Sequence, residues 1–544
     1  MQFPSNQSCC SSNPSITGWG YSGCGNQYPI VPGSNPALQT WNGQSFVVAD
    51  GSAQNRISLP FLQVSQNAAT YVVGADNNGV WSYYNPAYAG YANNLNGGSA
   101  GQVPWQSSPN TTAFTATGTN SQLLQSGGTG SPTWITPNNL SITSTGSTQT
   151  RTLANRFSDV ANVKDFGAVG NGTTNDTAAI QAAINSLNGS GEVFFPPGKY
   201  YLGSSLTVKA NVFLRGAAHN VSEDNVSHNY DNFNNVIFLN PASTINLNDG
   251  ATIDGFQIIN STLNGVLPYA STAAALASIA GWSGTAITQT GSDVKVSNCF
   301  IGGFAQAFNS NSKERTKIDW VNIDCIAGIL INASYDIARI QNVHAWPFIT
   351  THQGALSSAT YYRSGSAFKT TTQADATTFT NCFSYGYEIG FDIQTLNSCT
   401  LIGCYADSVV GSGTVGFSLT SGAELIQIIG GGTSAMSQGV YINTVAGKGN
   451  ITITSLNFWG NYAHLVSDGH LALNINGCFF RDTNGGSRTA ITLNSSVTGS
   501  TNIVNNIFYL PSQAYSISSG IPLRKTRISN NVYTGAVAVA NADQ

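Results

Sequence analysis

The sequence predicts an all-β solenoid of stacked coils, and three observations point to it. A short strand-and-turn unit recurs from Val236 onward, a single clear helix precedes a long series of strand-like runs, and only 8% of the residues are charged. The unit reads VKVSNCFIGGF at 294–304 and returns in variants such as TTFTNCFSYGYEIGFDI at 377–393 and LALNINGCFFRD at 471–482. Its anchors Phe300, Ile323, Val343, Phe383, Tyr405, Ile429, Phe458, Phe479 and Phe508 lie 20–29 residues apart, with one gap of 40. That period is the mark of a chain in which each turn pairs only with its neighbours, and the spacing predicts about 10 to 12 coils. Asn298, Asn322, Asn342, Asn381, Asn476 and Asn506 stand just before anchors, so amide ladders are expected at matching turns. The gap predicts a loop out of the cylinder between 350 and 378.

The regions follow in order. Residues 1–150 carry only Asp50, Arg56 and Asp76 as charged side chains. Alternating runs at 45–49 and 69–73 predict short strands in a small β-rich unit over 1–89. Residues 90–150 form a Gly/Ser/Thr/Asn-rich connector with sparse apolar anchors, read either as a flexible linker or as small strands ordered only by trimerisation. The main body is placed at 151–510, with 511–544 as a cap or a segment that knits chain ends, since exposed strand edges need covering.

The stretch 163–202 organises the body. Gly167, Gly170 and Gly172 mark a tight turn, Asp176 and Thr177 offer oxygens to open a helix, and Ile180, Ala183, Ile184 and Leu187 recur at helical spacing. Val193-Phe194-Phe195 then runs into the turn signal Pro196-Pro197-Gly198. The physical use of one helix before many strands is a lid over the open end of the stack. With Asp165-Phe166-Gly167-Ala168, Asn175-Asp176-Thr177 and Pro196-Pro197-Gly198 on the page, this segment resembles the entrance motif of bacteriophage tailspikes and related depolymerases, which are pectate-lyase-like, right-handed parallel β-helix proteins. Asn171 and Asn175 replace aspartates frequent in that family, leaving the turn chemistry intact. The runs at 102–107, 113–119 and 123–134 are similar to phage tail-fibre segments. The resemblance implies a right-handed parallel β-helix with a capping helix, a homotrimer, and an N-terminal region that attaches to a phage baseplate or tail protein. It further implies a virion-tail protein that binds and hydrolyses a bacterial surface polysaccharide, capsule or O-antigen, during host adsorption.

Composition sets limits on function. With 20 basic and 24 acidic residues, a net charge of -4 argues against a nucleic-acid partner, which needs a basic stripe. No twenty-residue apolar run predicts a membrane span, and Met1-Gln2-Phe3-Pro4 lacks the features of a secretory signal. Cys9, Cys10 and Cys24 lack a fourth zinc ligand, and Cys299, Cys325, Cys382, Cys399, Cys404 and Cys478 read as small buried hydrophobes. The His219, Glu223, Asp224, His228 and Asp231 cluster reads as a solvated excursion, so neither a metal nor another cofactor is expected.

Candidate chemistry rests on outward carboxylates in neighbouring coils. Glycoside hydrolysis needs two carboxyl groups about 5–9.5 Å apart. In the 387–393 run, Ile389, Phe391 and Ile393 point inward, which turns Glu388 and Asp392 outward. Aligning Phe383 with Tyr405 sets Asp407 opposite Tyr385, on the same broad face as Glu388, with Glu424 one coil later. Two coils earlier, His344 and Trp346 align outward and Asp324 stacks below His344. The expected catalytic set is therefore Glu388 as acid with Asp407 or Asp392, and the expected sugar-binding set is Trp346, His344, Tyr385, Tyr387, Asp324 and Glu424. Asp319, Asp336 and Asp375 are reserves. Two alternatives remain open: a polysaccharide lyase on the same scaffold, drawing on Arg315, Lys317 and Arg339, and a glycan-binding adhesin that breaks no bond.

Overall fold

A computed structural model describes residues 97–217, 235–351, 356–408, 413–481, 489–510, 516–520 and 525–535, with the backbone of short strands outside those ranges. Cys9, Cys10, Cys24, Asp50, Arg56, Asp76 and the cluster from His219 to Asp231 lie outside the described residues. The chain divides into two units, Met1–Ser141 and Ile142–Gln544. In the first, Pro104–Ser108 pairs antiparallel with Thr111–Phe114, and Leu123–Gly127 with Gly130–Ile135. Trp134 anchors the second hairpin by donating its indole N–H to the Ala116 carbonyl at 2.7 Å. This part of the connector is thus strand within a single chain.

The second unit is an all-β, right-handed parallel solenoid of about 13 turns. Three faces run along it. The first extends from Val160–Asn162 to Thr526–Ser529, the second from Asn171–Asn175 to Val532–Gly535, and the third from Leu206–Val208 to Val539–Asn541. The spacing argument undercounted the turns because its anchors begin at Phe300. Coils built from Gly191–Phe195, Val212–Gly216 and Thr252–Asp254 precede that point, and Ile517–Ser519 with Thr526–Ser529 continue the ladders beyond Leu510.

The corner between the first and second faces explains the recurring asparagines. On successive coils Asn298, Trp320, Asn342, Asn381, Gly403, Gly430, Ser455, Gly477, Asn505 and Asn530 all take positive φ, a conformation that Gly and Asn accept most readily. Asn298 donates to Asp254 at 2.7 Å, Asn342 to Asp319 at 2.9 Å and Asn505 to Asn476 at 3.0 Å, so the amides link coil to coil. Asn322 is not part of this row, because Trp320 holds the corner on its coil and Asn322 faces outward between Phe300 and His344.

Inside, identical side chains stack at the interstrand spacing. Phe368, Phe391 and Phe417 are stacked at 4.7 and 4.9 Å, and Phe458, Phe480, Phe508 and Tyr533 at 4.5, 4.6 and 5.1 Å. Each buried ring contributes about 2–3 kcal/mol through apolar area removed from water. The six cysteines of the solenoid are free and buried, and desolvation pushes the Cys299 thiol up to about 12 and the Cys478 thiol up to about 11, which suits packing and not redox use.

The helix Thr177–Ser186 sets Ile180, Ala183 and Ile184 into the apolar cluster that starts the stack. Its opening differs in detail from the expectation. Asn175 accepts from the Thr177 amide at 3.1 Å and the Thr177 hydroxyl at 2.7 Å, while Asp176 accepts from the Val169 and Gly170 amides at 2.7 and 3.1 Å and so clamps the glycine turn.

Candidate functional site

The 40-residue gap is the loop that shapes the middle coils. It leaves the second face after Trp346 and returns through Thr360 to Arg363. Asp324 and Arg363, both fully buried, pair at 2.8 Å; Arg363 also donates to the Thr360 carbonyl at 2.7 Å, and Asp324 accepts from the Ile349 amide at 2.7 Å. Burial pushes the Asp324 carboxyl up and the guanidinium opposes that shift. Asp324 therefore staples the loop to the barrel and does not face a ligand. It pairs across the ladder with Gly302, and Asn322 is the residue opposite His344. Phe348 and Ile349 join Ile259, Phe300, Tyr269 and Trp282 in a satellite cluster that covers the earlier coils of the second face.

The second face opens from His344 onward. His344 pairs with Phe383 and Phe383 with Tyr405, while Tyr385 pairs with Asp407 and Asp407 with Ser434, in the register expected for Phe383, Tyr405, Tyr385 and Asp407. His344 and Phe383 meet edge to face at 5.0 Å, Phe383 and Tyr405 stack at 6.1 Å, and Trp346 lies 6.3 Å from Tyr385. Half-burial pushes the Asp407 carboxyl up, against the Ser408 amide and a bond with Ser434 that favour its charged form. The same burial, together with the Asp407 charge, raises Tyr385 and Tyr405, so both keep their phenolic protons.

Around the corner at Gly386 the third face carries a groove of ≈ 330 Å³ lined by Gln306, Ser366, Lys369, Glu388 and Asp392, among others. Lys369 lies across the ladder from Asp392 and meets it at 2.7 Å. Asp392 is 2% exposed and also accepts from Gln394 at 2.9 Å. Glu388 is half-buried and bonds the Tyr362 phenol, whose pKa is raised first by burial and then by the Glu388 charge. Sequence reasoning missed Tyr362 because it comes from the return of the long loop, outside the repeat, whereas Lys369 lies on the third-face strand Arg363–Ala374, in register with Leu330 and Asp392.

The remaining candidates fall elsewhere. Tyr387 belongs to the core with Phe391 and Ile393 and is 1% exposed, whereas Ile389, expected to point inward, lines the groove beside Ser366. Glu424 precedes the first-face strand Leu425–Ile429 and is paired with Lys448. Asp319 and Asp336 are engaged by Asn342 and Arg315, and Asp375 accepts from Asn397. Glu388 and Asp392 lie four residues apart on one strand, a rise of about 13 Å. Among the described residues no cluster of three or more His, Cys, Asp or Glu is placed to hold a metal ion, and no helix is long and apolar enough to cross a membrane.

Comparison with known proteins gives partial matches. Residues 160–401 match the family described as rhamnogalacturonase A/epimerase, pectate lyase-like. Mannuronan C5-epimerase AlgE3 of Azotobacter vinelandii is 48% identical over 65 residues, 10% of this chain and 4% of the relative. Alginate lyase 7 of the same organism is 46% identical over 65 residues, 10% of this chain and 8% of the relative. Plasmin and fibronectin-binding protein A of Streptococcus pneumoniae is 42% identical over 73 residues, 13% of this chain and 9% of the relative. The chain thus spans less than a tenth of the length of each of these three relatives. The solved A-module of the Azotobacter vinelandii epimerase AlgE4 is similar at a TM-score of 0.43 and 17% identity, covering 71% of this chain and 98% of that one.

These matches correct the tailspike reading. The curated relatives are bacterial epimerases, a lyase and a plasmin- and fibronectin-binding protein, not phage adsorption proteins. The virion-tail location, the baseplate or tail partner and the homotrimer rested on that resemblance and fall with it. The physical reason is that the entrance segment solves a problem common to solenoids, closing and pinning the first coil, so it reports the fold and not the biology. What stands is a pectate-lyase-like β-solenoid related to proteins that include enzymes acting on polysaccharides.

Proposed function

We propose that the protein binds an acidic polysaccharide at the middle coils and transforms it by proton transfer next to a uronate carboxyl, the chemistry of lyases and C5-epimerases. The observation that carries this reading is one groove lined by both Glu388 and Lys369. Removal of a proton α to a carboxylate needs a base and a cation that stabilises the enolate. Glu388 serves as the base, and Lys369, held by buried Asp392, meets the sugar carboxylate. In a lyase the C5–H electrons form the C4–C5 double bond, the C4–O bond breaks, and Tyr362 protonates the leaving oxygen. In an epimerase Glu388 keeps the proton it removes, and the Tyr362 phenol delivers its own proton to the opposite face of C5 and recovers one from water. The polymer continues around Gly386 onto the second face, where Tyr385 and Tyr405 stack sugars and Asp407 accepts a hydroxyl. The helix Thr177–Ser186 is read as the cap of the first coil. Two-carboxylate hydrolysis fits less well, because Lys369 already pairs with the Asp392 carboxylate.

A second reading, an adhesin that binds glycan without cleaving it, is favoured by the second face. Asp407 stands there among Tyr385, Tyr405 and Ser434 with no second carboxylate opposite it on either adjoining coil, so stacking is the main service that face offers. Incubation with polyuronates followed by mass spectrometry and NMR separates the readings. Lyase products carry unsaturated ends, epimerised polymer keeps its length with altered C5 configuration, and unmodified polymer that stays bound means adhesin. Glu388→Gln is expected to lower turnover about 10²–10⁴-fold with the fold intact; unchanged turnover removes Glu388 from the mechanism.

A further inference from the structure

The first face of the later coils carries a second groove, ≈ 380 Å³, on the coils from Leu425 to Asn502. None of its lining side chains is charged. Gln427, Thr452, Asn474 and Asn502 follow one another across adjacent strands and form one wall. The parallel row runs Leu425, Asn450, Ala472, Ser500, so the trough deepens as the side chains shrink. Asn502 Nδ2 donates to the side-chain Oδ1 of Asn474 at 2.7 Å, and its own Oδ1 is buried without a hydrogen-bond partner. Leaving a buried acceptor unmet costs free energy of about 1–3 kcal/mol, and a ligand donor aimed at it recovers that loss. Leu425, 54% exposed, gives the groove an apolar edge. The nearest charged side chains do not open this groove to an ion: Glu424 is paired with Lys448, and Arg527 follows Asn502 on the next coil, outside the lining.

We infer that this groove is a binding site for a neutral oligosaccharide segment, separate from the groove of Glu388. Sugar hydroxyls donate and accept at once, as do the amide side chains that face them, and the C–H face of a sugar covers Leu425. An anionic sugar entering here would lose solvation with no cation in the lining to meet it, Arg527 standing one coil beyond. The inference does not depend on turnover at Glu388.

The test is an array of neutral and acidic oligosaccharides probed with the full chain carrying Glu388→Gln, with and without Ala472→Trp. The tryptophan fills the trough from an outward position. Neutral glycans are expected to bind the parent and to weaken by at least about tenfold on Ala472→Trp, while acidic glycans held by the Glu388 groove are unaffected. Gln427→Ala, which removes one amide without adding bulk, is expected to weaken the same neutral glycans and guards against misfolding of the larger variant. Absence of neutral-glycan binding, neutral binding indifferent to both substitutions, or acidic glycans sensitive to Ala472→Trp overturns the inference. Turnover unchanged by Glu388→Gln, with the neutral binding intact, would count against the proposed function alone.

Discussion

The two grooves are of similar size and sit on the same scaffold, yet their chemistry is opposite. The third-face groove holds Lys369, Glu388 and Asp392, whereas the first-face groove holds amides, hydroxyls and aliphatic groups. The backbone beneath each is a parallel ladder, one on the first face and one on the third, with phenylalanine stacks inside. What differs is the chemistry of the outward residues. The first-face groove is made wholly from repeating strands, so its walls are rows one coil apart. The charged groove also stands on repeating strands, which carry Lys369, Glu388 and Asp392, and only Tyr362, bonded to Glu388, comes from the return of the long loop. The repeat carries charge in the third-face groove because Lys369 and Asp392, of opposite sign, face each other across adjacent coils, where a row of like charges would be destabilising.

Three substitutions probe that contrast, beginning with the largest expected effect. Asp324→Ala leaves the Arg363 guanidinium buried and unpaired, and is expected to cost about 3–5 kcal/mol in urea unfolding while releasing the loop that brings Tyr362 to Glu388. A cost below about 1 kcal/mol would mean that the loop is held by its apolar contacts alone.

The next effect belongs to the neutral side. Buried His470 bonds the Ser467 hydroxyl at 2.8 Å and, beneath the first-face groove, the Thr501 hydroxyl at 2.9 Å. Desolvation pushes its pKa down from 6.5 to about 4. The unfolded chain then binds more protons than the folded one between those values, so stability is present above pH 6.5 and is lost as pH falls toward 4. The full loss is about 3 kcal/mol, and His470→Gln should flatten the profile over that window. An identical slope in the variant would assign the acid sensitivity to other groups.

Smallest in stability is Lys369→Met. It strands the Asp392 carboxylate and is expected to cost about 1–3 kcal/mol, together with a loss of turnover on uronate polymers. Neutral-glycan binding on the first face should not change, and a parallel loss there would show that the two grooves are not independent.

Much of the fold was legible in the sequence because the solenoid is a local repeat. The anchor period, the glycine turn before the helix, the inward cysteines and the pairing of Tyr385 with Asp407 all follow from periodicity and parity. The site was legible only in part. Glu388 and Asp392 were read as outward, but the inward turn of Tyr387 and the outward turn of Ile389 were not foreseen. Asp324 was placed one residue row and one layer wrong, since nothing in its own coil signals that Arg363, 39 residues later, will cover it.

The sequence by itself determined the coil period, the helix that opens the stack and the residues that fill the interior, because each depends on neighbours within one repeat. Only the tertiary structure decided which outward rows meet, where the long loop returns and which groove is charged. Residues a coil apart become neighbours through lateral hydrogen bonding, and every insertion shifts that register by a length that periodicity does not reveal.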